Sequence, residues 1–552
     1  MPVTLSFGVA CLTLATLWTA SAGRILRDTS CPNTPVVDLG YNLHRAVSSD
    51  SDEAVYTFSN IQYATADRFA KAVYPPPTDR SQIFNGSQQS ICPQAYPAWQ
   101  FSAINFLDGA NLSNSTTEEL LSPSLLPPVS YSDENCLHID VQVAKSAFNS
   151  LKSNKNAQLL PILVYIHGGG YVQGHKAADG NGTGLIARAM ELGSDGIVFM
   201  AFNYRLGAFG WLSSGDDLIP NLGLHDQLVA LRWIQDYAHL FGGDASRITV
   251  ISQSAGAGSA AIHVANSLAQ GTSVPFHQAI LQSPYVSLLP TPQTQASTYQ
   301  QILTAANASS FEDLKTLDTS TLQDANYATI ATSAYGGFTF GPVVDAETFT
   351  APLPELLSRV KDTFPLMVGT NSQEGLLFTA PNVQNDEMYL AALQSLVPYL
   401  PSDILANLTS TLYPSSSFTS EVQRLNETLA DLAIRCTAHS ILSQFADSAY
   451  DYQYSVPSGV HAADLHYTFF DGNVEDLPQG NVTVAHVFQS YIASFVLGGS
   501  PTPDLSGVPD LTLFGEKLGV DVNITGITQR SATWLSETIC AGMDEILSGA
   551  WS

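Results

Sequence analysis

The chain has 552 residues, with 21 Lys and Arg against 49 Asp and Glu, a formal charge of −28. That balance excludes a nucleic-acid partner, because no basic face is available to neutralise phosphates. With 13% charged and 45% hydrophobic residues, the chain also falls outside the disordered class, and its length supports a core that needs no structural metal or dense disulfides.

Residues 1–22 read as a secretion signal. An apolar run from Leu5 to Thr19 ends in Ala20-Ser21-Ala22, an A-x-A cleavage pattern, although the basic residues that usually open such a segment are missing. The run is shorter than the roughly 20 apolar residues of a spanning helix, and no later segment is long and apolar enough, so no stable membrane anchor is expected. Nine N-x-[ST] sequons agree with export: Asn85, Asn111, Asn114, Asn181, Asn307, Asn407, Asn426, Asn481 and Asn523. The cysteines are Cys11 in the leader, then Cys31, Cys92, Cys136, Cys436 and Cys540. None forms a C-x-x-C pair, so zinc and thioredoxin-like readings have no support. The odd number left after the leader leaves at least one thiol unpaired in a monomer. The acidic balance favours solubility, disfavours anionic membranes and suits mildly acidic surroundings.

After the leader, short apolar runs alternate with helix-like segments, with no internal repeat. Residues 159–166, 196–203, 248–251 and 364–369 each read as a buried strand. Between the second and third, residues 224–240 place Leu228, Leu231 and Ile234 at helical spacing. The alternation predicts an α/β fold, a large mostly parallel sheet with helices on both faces. In such sheets function gathers where strands end and loops begin.

The third strand runs into Ser252-Gln253-Ser254-Ala255-Gly256-Ala257-Gly258, then into a helix-like stretch. This is the pattern of a nucleophile elbow, a tight turn that holds the Ser254 hydroxyl above the sheet. The usual pattern is G-x-S-x-G. Ser252 stands where the first glycine is usual, so strain or repacking is expected. A serine among small residues is an ordinary turn when taken alone. The first strand, however, ends in His167-Gly168-Gly169-Gly170, which matches the loop whose backbone N–H groups face an oxyanion. Glycine is needed there because a side chain would block the amides from the substrate oxygen.

With these motifs the sequence resembles the type-B carboxylesterases, the family of the cholinesterases and the large fungal lipases, and in particular its secreted fungal branch. The likeness runs through Phe58-Ser59-Asn60-Ile61-Gln62-Tyr63-Ala64 with Arg68-Phe69, and through Glu134-Asn135-Cys136-Leu137, where Asn135 replaces an acidic residue. It continues through Asn203-Tyr204-Arg205-Leu206-Gly207, Asn221-Leu222-Gly223-Leu224-His225-Asp226-Gln227 and Phe241-Gly242-Gly243-Asp244. The resemblance implies one α/β-hydrolase domain over residues 23–552.

It also implies the rest of the site. The family's chain order is serine, acid, histidine. Glu374, in Gln373-Glu374-Gly375 after the fourth strand, takes the place of the acid. His461, in His461-Ala462-Ala463-Asp464-Leu465, takes that of the histidine, with Ala462 for the usual glycine. The oxyanion donors are the N–H groups of Gly169, Gly170 and Ala255. The family's disulfide pairing implies Cys92–Cys136, closing a lid loop, and Cys436–Cys540. Cys31 is then the odd thiol, and it could compete for either partner of the second pair. Asp345 falls in a family segment near the gorge without catalytic duty, and Asp464 is expected to be a local neighbour of His461. His466 is expected to be a wall residue, His486 structural, and His167 a scaffold for the glycine loop. Gln253 replaces a glutamate of many cholinesterase relatives, which disfavours choline esters.

The expected chemistry is hydrolysis of small to medium soluble esters through an acyl-enzyme, with no cofactor and no metal. Acyl transfer to another acceptor, or service in a specialised-metabolite pathway, would use the same triad and stays open. A true lipase is disfavoured by Asn111 and Asn114, whose glycans would hinder docking at an oil surface. A non-catalytic binding relative is disfavoured because serine, acid, histidine and glycine loop are all present.

Overall fold

The computed structural model describes residues 34–47, 54–121, 132–154, 157–214, 218–288, 291–477, 480–516, 518–531 and 537–543. The leader, residues 1–22, and Cys31 lie outside the described residues.

Ten strands form one sheet: β1 (Val55–Gln62), β2 (His138–Ala144), β3 (Leu160–Ile166), β4 (Val198–Phe202), β5 (Gly243–Gln253), β6 (Gln278–Gln282), β7 (Leu366–Asn371), β8 (Ala449–Tyr454), β9 (Leu518–Asn523) and β10 (Gly526–Ser531). Their spatial order is β10-β9-β8-β7-β6-β5-β3-β4-β2-β1. From β9 to β4 every neighbour pairs parallel. The antiparallel pairs lie at the ends, β9 with β10 and β4-β2-β1. A separate three-stranded sheet joins Val36–Asp38, Leu43–Arg45 and Ile83–Phe84.

The residues explain this layout. Every position of β3 and β4 is buried, as continuous apolar strands must be when helices cover both faces. The edge strand β10, Gly-Ile-Thr-Gln-Arg-Ser, has no buried position, and polar residues on an edge discourage pairing with another chain. The four strands read from sequence all form. The third is longer than expected, because Asp244, Ser246 and Arg247 interrupt its apolar pattern while the backbone stays extended.

Seven helices matter for the site: α1 (Trp99–Leu107), α2 (Thr183–Glu191), α3 (Leu222–Tyr237), α4 (Ala255–Ala269), α5 (Asp386–Leu396), α6 (Glu421–Ala430) and α7 (Val482–Gly498). The expected helix over 224–240 is α3, which buries Leu231 and Ile234. It tightens into a 3-10 turn at Ala238–Phe241 and closes on Gly242, at φ 92°.

The shared motifs outside the elbow and the glycine loop work as scaffold. Arg205 grips Asp226 with two hydrogen bonds of 2.8 and 2.7 Å, fixing the turn after β4 to α3. Arg68 does the same to Glu134, at 2.9 and 2.5 Å. Asn203 donates to the carbonyls of Ser90 and Cys136 and accepts from the Lys176 amide. Disulfides join Cys92 to Cys136 and Cys436 to Cys540.

Candidate active site

Ser254 stands between β5 and α4, at the N-cap of the helix, in an unusual backbone conformation, φ 53° and ψ −120°. Such a conformation persists only when its surroundings impose it. Here the Ser254 N–H donates to the Gln282 carbonyl, and the Ser254 carbonyl accepts from Gly258 and Tyr285. The glycines are obligatory: a Cβ at Gly256 would come 2.2 Å from the Ile166 carbonyl oxygen, and one at Gly258 would come 1.9 Å from that of Tyr285. Ser252 is accommodated without the expected strain. It lies within regular strand, and its hydroxyl donates to the Ile280 carbonyl at 3.3 Å.

The glycine loop follows β3 and faces the elbow. Gly169 and Gly170 hold φ of 101° and 60°, conformations that L side chains rarely adopt. A Cβ on Gly170 would enter the Phe338 ring at 2.2 Å. Among the described residues, the N–H groups of Gly169, Gly170 and Ala255 have no hydrogen-bond acceptor. His167 stacks on Tyr204 at 4.4 Å, and the Tyr204 hydroxyl donates to the His167 carbonyl. Burial pushes the His167 imidazole down to about 3, so the ring is neutral under ordinary conditions and serves as scaffold.

Glu374 and His461 arrive on the loops after β7 and β8. These loops are joined by a bridge between Gln373 and Val460, with the Gln373 N–H donating to the Gly459 carbonyl. His461 Nε2 stands 2.8 Å from Ser254 Oγ, and His461 Nδ1 stands 2.6 Å from Glu374 Oε2. All three side chains are buried. The other Glu374 oxygen accepts from the Ser283 hydroxyl and from the Asn371 N–H, each at 2.6 Å. Sequence positions 254, 374 and 461 therefore meet at the carboxyl ends of three parallel strands.

The competing residues lie elsewhere. Asp345 accepts from the N–H groups of Glu347, Thr348 and Phe349 and from the Asn221 amide. Burial pushes its carboxyl up, but these donors outweigh it and hold it below the usual range. Asp464 accepts from Tyr452, Gln282 and Asn371, and burial pushes its carboxyl up. It makes no hydrogen bond to His461 and reaches Glu374 only through Asn371 and Ser283. His486 packs within α7 against Phe470. The expectation that His466 is a wall residue is corrected: it is exposed on the turn Leu465–Thr468.

The sequon at Asn426 is also corrected. Asn426 is only 2% exposed, and its amide donates to Gln373 beneath the acid loop, so no acceptor nitrogen is offered to a glycosyltransferase. Asn111, Asn114, Asn307 and Asn407 are exposed, while Asn85, Asn181, Asn481 and Asn523 are half-buried.

Sequence reading missed two features. Gln253, weighed only for the charge it lacks, places its Nε2 3.2 Å from His461 Nε2. Phe378, four residues after Glu374, sets its ring 5.1 Å from the His461 ring. Trp99, Phe338 and Tyr335 extend this aromatic wall. The run Gly375-Leu376-Leu377-Phe378 was the signal available, but an apolar run reads as core until the fold turns it toward the triad.

A model of the carboxylesterase family matches residues 43–523. The chain belongs to the carboxylesterase family. It is a carboxylic ester hydrolase with the α/β-hydrolase fold. The carboxylesterase patB of Aspergillus clavatus is similar, 32% identical over 90% of this chain and 94% of its own length. A secreted lipase of Arthroderma benhamiae is 25% identical over 67% of this chain and 72% of its own. Among solved structures, EstA of Aspergillus niger shares the fold with a TM-score of 0.76 at 23% identity, covering 95% of this carboxylesterase and all of EstA.

Proposed function

We propose that this carboxylesterase is a secreted serine hydrolase that cleaves small to medium soluble esters through an acyl-enzyme on Ser254. The observation that carries the reading is the hydrogen-bonded row from Ser254 Oγ to His461 Nε2 at 2.8 Å and from His461 Nδ1 to Glu374 Oε2 at 2.6 Å. His461 takes the Ser254 proton as the oxygen attacks the ester carbonyl. Glu374 holds the imidazole in the tautomer with its proton on Nδ1 and stabilises the imidazolium that forms. The N–H groups of Gly169, Gly170 and Ala255 receive the developing oxyanion, and one such donor is worth about 3 kcal/mol of barrier. His461 then gives its proton to the departing alcohol. Water repeats the sequence and releases the acid. Every step uses protein groups and water.

Export is supported by the leader pattern, the two disulfides and the exposed sequons. No helix among the described residues is long and apolar enough to cross a membrane.

The test pairs turnover with covalent labelling. Purified protein should hydrolyse p-nitrophenyl butyrate and take one fluorophosphonate adduct, mapped by mass spectrometry to the Ser254 peptide. Ser254→Ala should lose both while keeping its unfolding midpoint. Near wild-type turnover in that variant would sink the assignment.

A further inference from the structure

We propose that Arg435 is a positioning residue for the triad: its guanidinium clamps the loop that aims Glu374 at His461 and supplies a buried positive charge beside that carboxylate. The inference rests on the serine-esterase reading above and adds to it a residue that acts through Glu374.

The helix that starts as α6 runs on through a π-turn at Asp431–Arg435 into a further helical stretch, Cys436–Gln444. π-turns are rare and are frequent at functional sites. This one lies against the loop that carries Glu374. Three of the loop's four residues are held by the same helical run. The Ser372 carbonyl accepts from the Arg435 guanidinium at 2.9 Å, and the Gln373 side-chain oxygen accepts from the Asn426 amide at 3.1 Å. Gly375 packs so closely that a Cβ there would come 1.9 Å from the Asn426 carbonyl oxygen. The fourth residue, Glu374, bonds Asn371, Ser283 and His461 instead.

A neutral donor would satisfy the Ser372 carbonyl at less cost. Arg435 is buried, its Nε has no partner among the described residues, and taking a guanidinium out of water is unfavourable unless neighbouring charges compensate. The charged groups facing it are Glu427 from α6 at 2.6 Å, Asp431 from its own turn at 3.4 Å, and Glu374. Burial opposes the guanidinium's charge, but these carboxylates hold it cationic. Asp464 is the other acid that faces Glu374 and His461. A fixed cation favours the ionised form of a neighbouring carboxylate, the form in which Glu374 accepts from the imidazole. The clamp therefore sets turnover, and the charge sets the pH range over which the triad works.

Arg435→Lys and Arg435→Gln separate the two. Both are compared with wild type on p-nitrophenyl butyrate, with kcat normalised to sites titrated by a fluorophosphonate so that misfolded protein does not count. Lysine keeps the charge without the planar fork. Its kcat should fall severalfold with KM unchanged and the acidic limb of kcat/KM in place. Glutamine loses fork and charge. Its kcat should fall about tenfold or more, again with KM unchanged, because a misaimed acid acts on the chemical step. With the cation gone, Glu374 and His461 hold their protons to higher pH, so the acidic limb should move up by about half a unit, roughly threefold in the proton equilibrium. If Arg435→Gln fails to fold, Arg435→Lys still decides by its split between kcat and KM. A purely structural arginine would lower the unfolding midpoint and leave kcat per titrated site and the acidic limb unchanged; that result overturns the proposal. So does a lysine variant with wild-type kcat per site, or a folded glutamine variant whose acidic limb coincides with wild type. If wild type takes no fluorophosphonate adduct, the Ser254 reading itself falls.

Discussion

The Gln253 amide nitrogen stands 3.2 Å from His461 Nε2, the ring nitrogen that also faces Ser254 Oγ at 2.8 Å. With Glu374 holding the proton at Nδ1, Nε2 has one lone pair, and two donors converge on it. An amide N–H can donate only to an unprotonated nitrogen, which is also the form able to take the serine proton. The absence of a side chain at Gly168 leaves room for Gln253, since a Cβ there would come 2.3 Å from Gln253 Oε1. Sequence adjacency to Ser254 thus gives this residue a contact with His461.

Gln253→Glu should move the working range upward in pH. A carboxylate beside Nε2 favours the imidazolium, and a protonated ring cannot accept the serine proton. The acidic limb of kcat/KM should therefore shift to higher pH by about one unit, equivalent to roughly 1.4 kcal/mol. Glu374 and Asp464 are the same in both proteins, so the difference reports position 253 alone. An acidic limb that stays in place, or moves to lower pH, would refute the contact.

Gly170→Ala should damage catalysis more than binding. The position holds φ 60°, and its Cβ would enter the Phe338 ring. Relief requires the loop to turn, which re-aims the Gly170 N–H. Loss of one oxyanion donor lowers kcat by about 10²–10³. Steady-state kinetics with a parallel unfolding curve separate the two effects; a variant with unchanged kcat would remove Gly170 from the oxyanion site.

Much of this was legible in the sequence because backbone requirements leave strong residue patterns. The elbow needs glycines where Gly256 and Gly258 touch backbone carbonyls, and the loop needs them at Gly169 and Gly170. The apolar runs of β3 and β4 are dictated by burial on both faces. Side-chain surroundings left no such trace. Nothing in the sequence distinguishes buried Asn426 from exposed Asn407, because both read as polar sequons. His466 is five residues from His461, yet a helical turn carries it to the surface. Phe378 and Tyr335 meet around one cavity only because the loop after β7 folds back toward α5 and α6.

Ala462→Gly should stabilise the protein slightly. Ala462 holds φ 70° directly after the histidine, where the family pattern has glycine. A left-handed conformation costs an L residue about 1–2 kcal/mol. Glycine removes that cost but gains freedom in the unfolded chain, worth about 0.4–1 kcal/mol. The net gain, between about 0 and 1.6 kcal/mol, should raise the unfolding midpoint by up to about 1–2 °C. A lower midpoint in calorimetry would mean the Ala462 methyl contributes packing that outweighs its backbone strain.

Glu374→Gln should be far more damaging than Asp345→Asn or Asp464→Asn, and the hydrogen bonds give the reason. One Glu374 oxygen accepts from the Asn371 N–H and the Ser283 hydroxyl, the other from His461 Nδ1. A glutamine has one acceptor end and one donor end. The Asn371 backbone is a fixed donor, so it holds the amide oxygen and turns the NH2 toward His461. Nδ1 must then become the acceptor, which puts the ring proton on Nε2, where it can no longer receive one from Ser254. The imidazolium also loses its counter-charge. By analogy with the ~10⁴-fold loss when a triad acid becomes an amide, kcat should fall by several orders of magnitude. Asp464 meets only donors from Tyr452, Gln282 and Asn371. Its replacement by Asn turns one of these contacts donor to donor and lowers stability while His461 keeps its tautomer. Asp345 organises the turn over residues 345–349 and bonds none of the three triad side chains. Both aspartate variants should stay within about tenfold of wild-type kcat on one soluble ester. A Glu374→Gln enzyme within that range, beside a collapsed aspartate variant, would overturn the assignment of the acid.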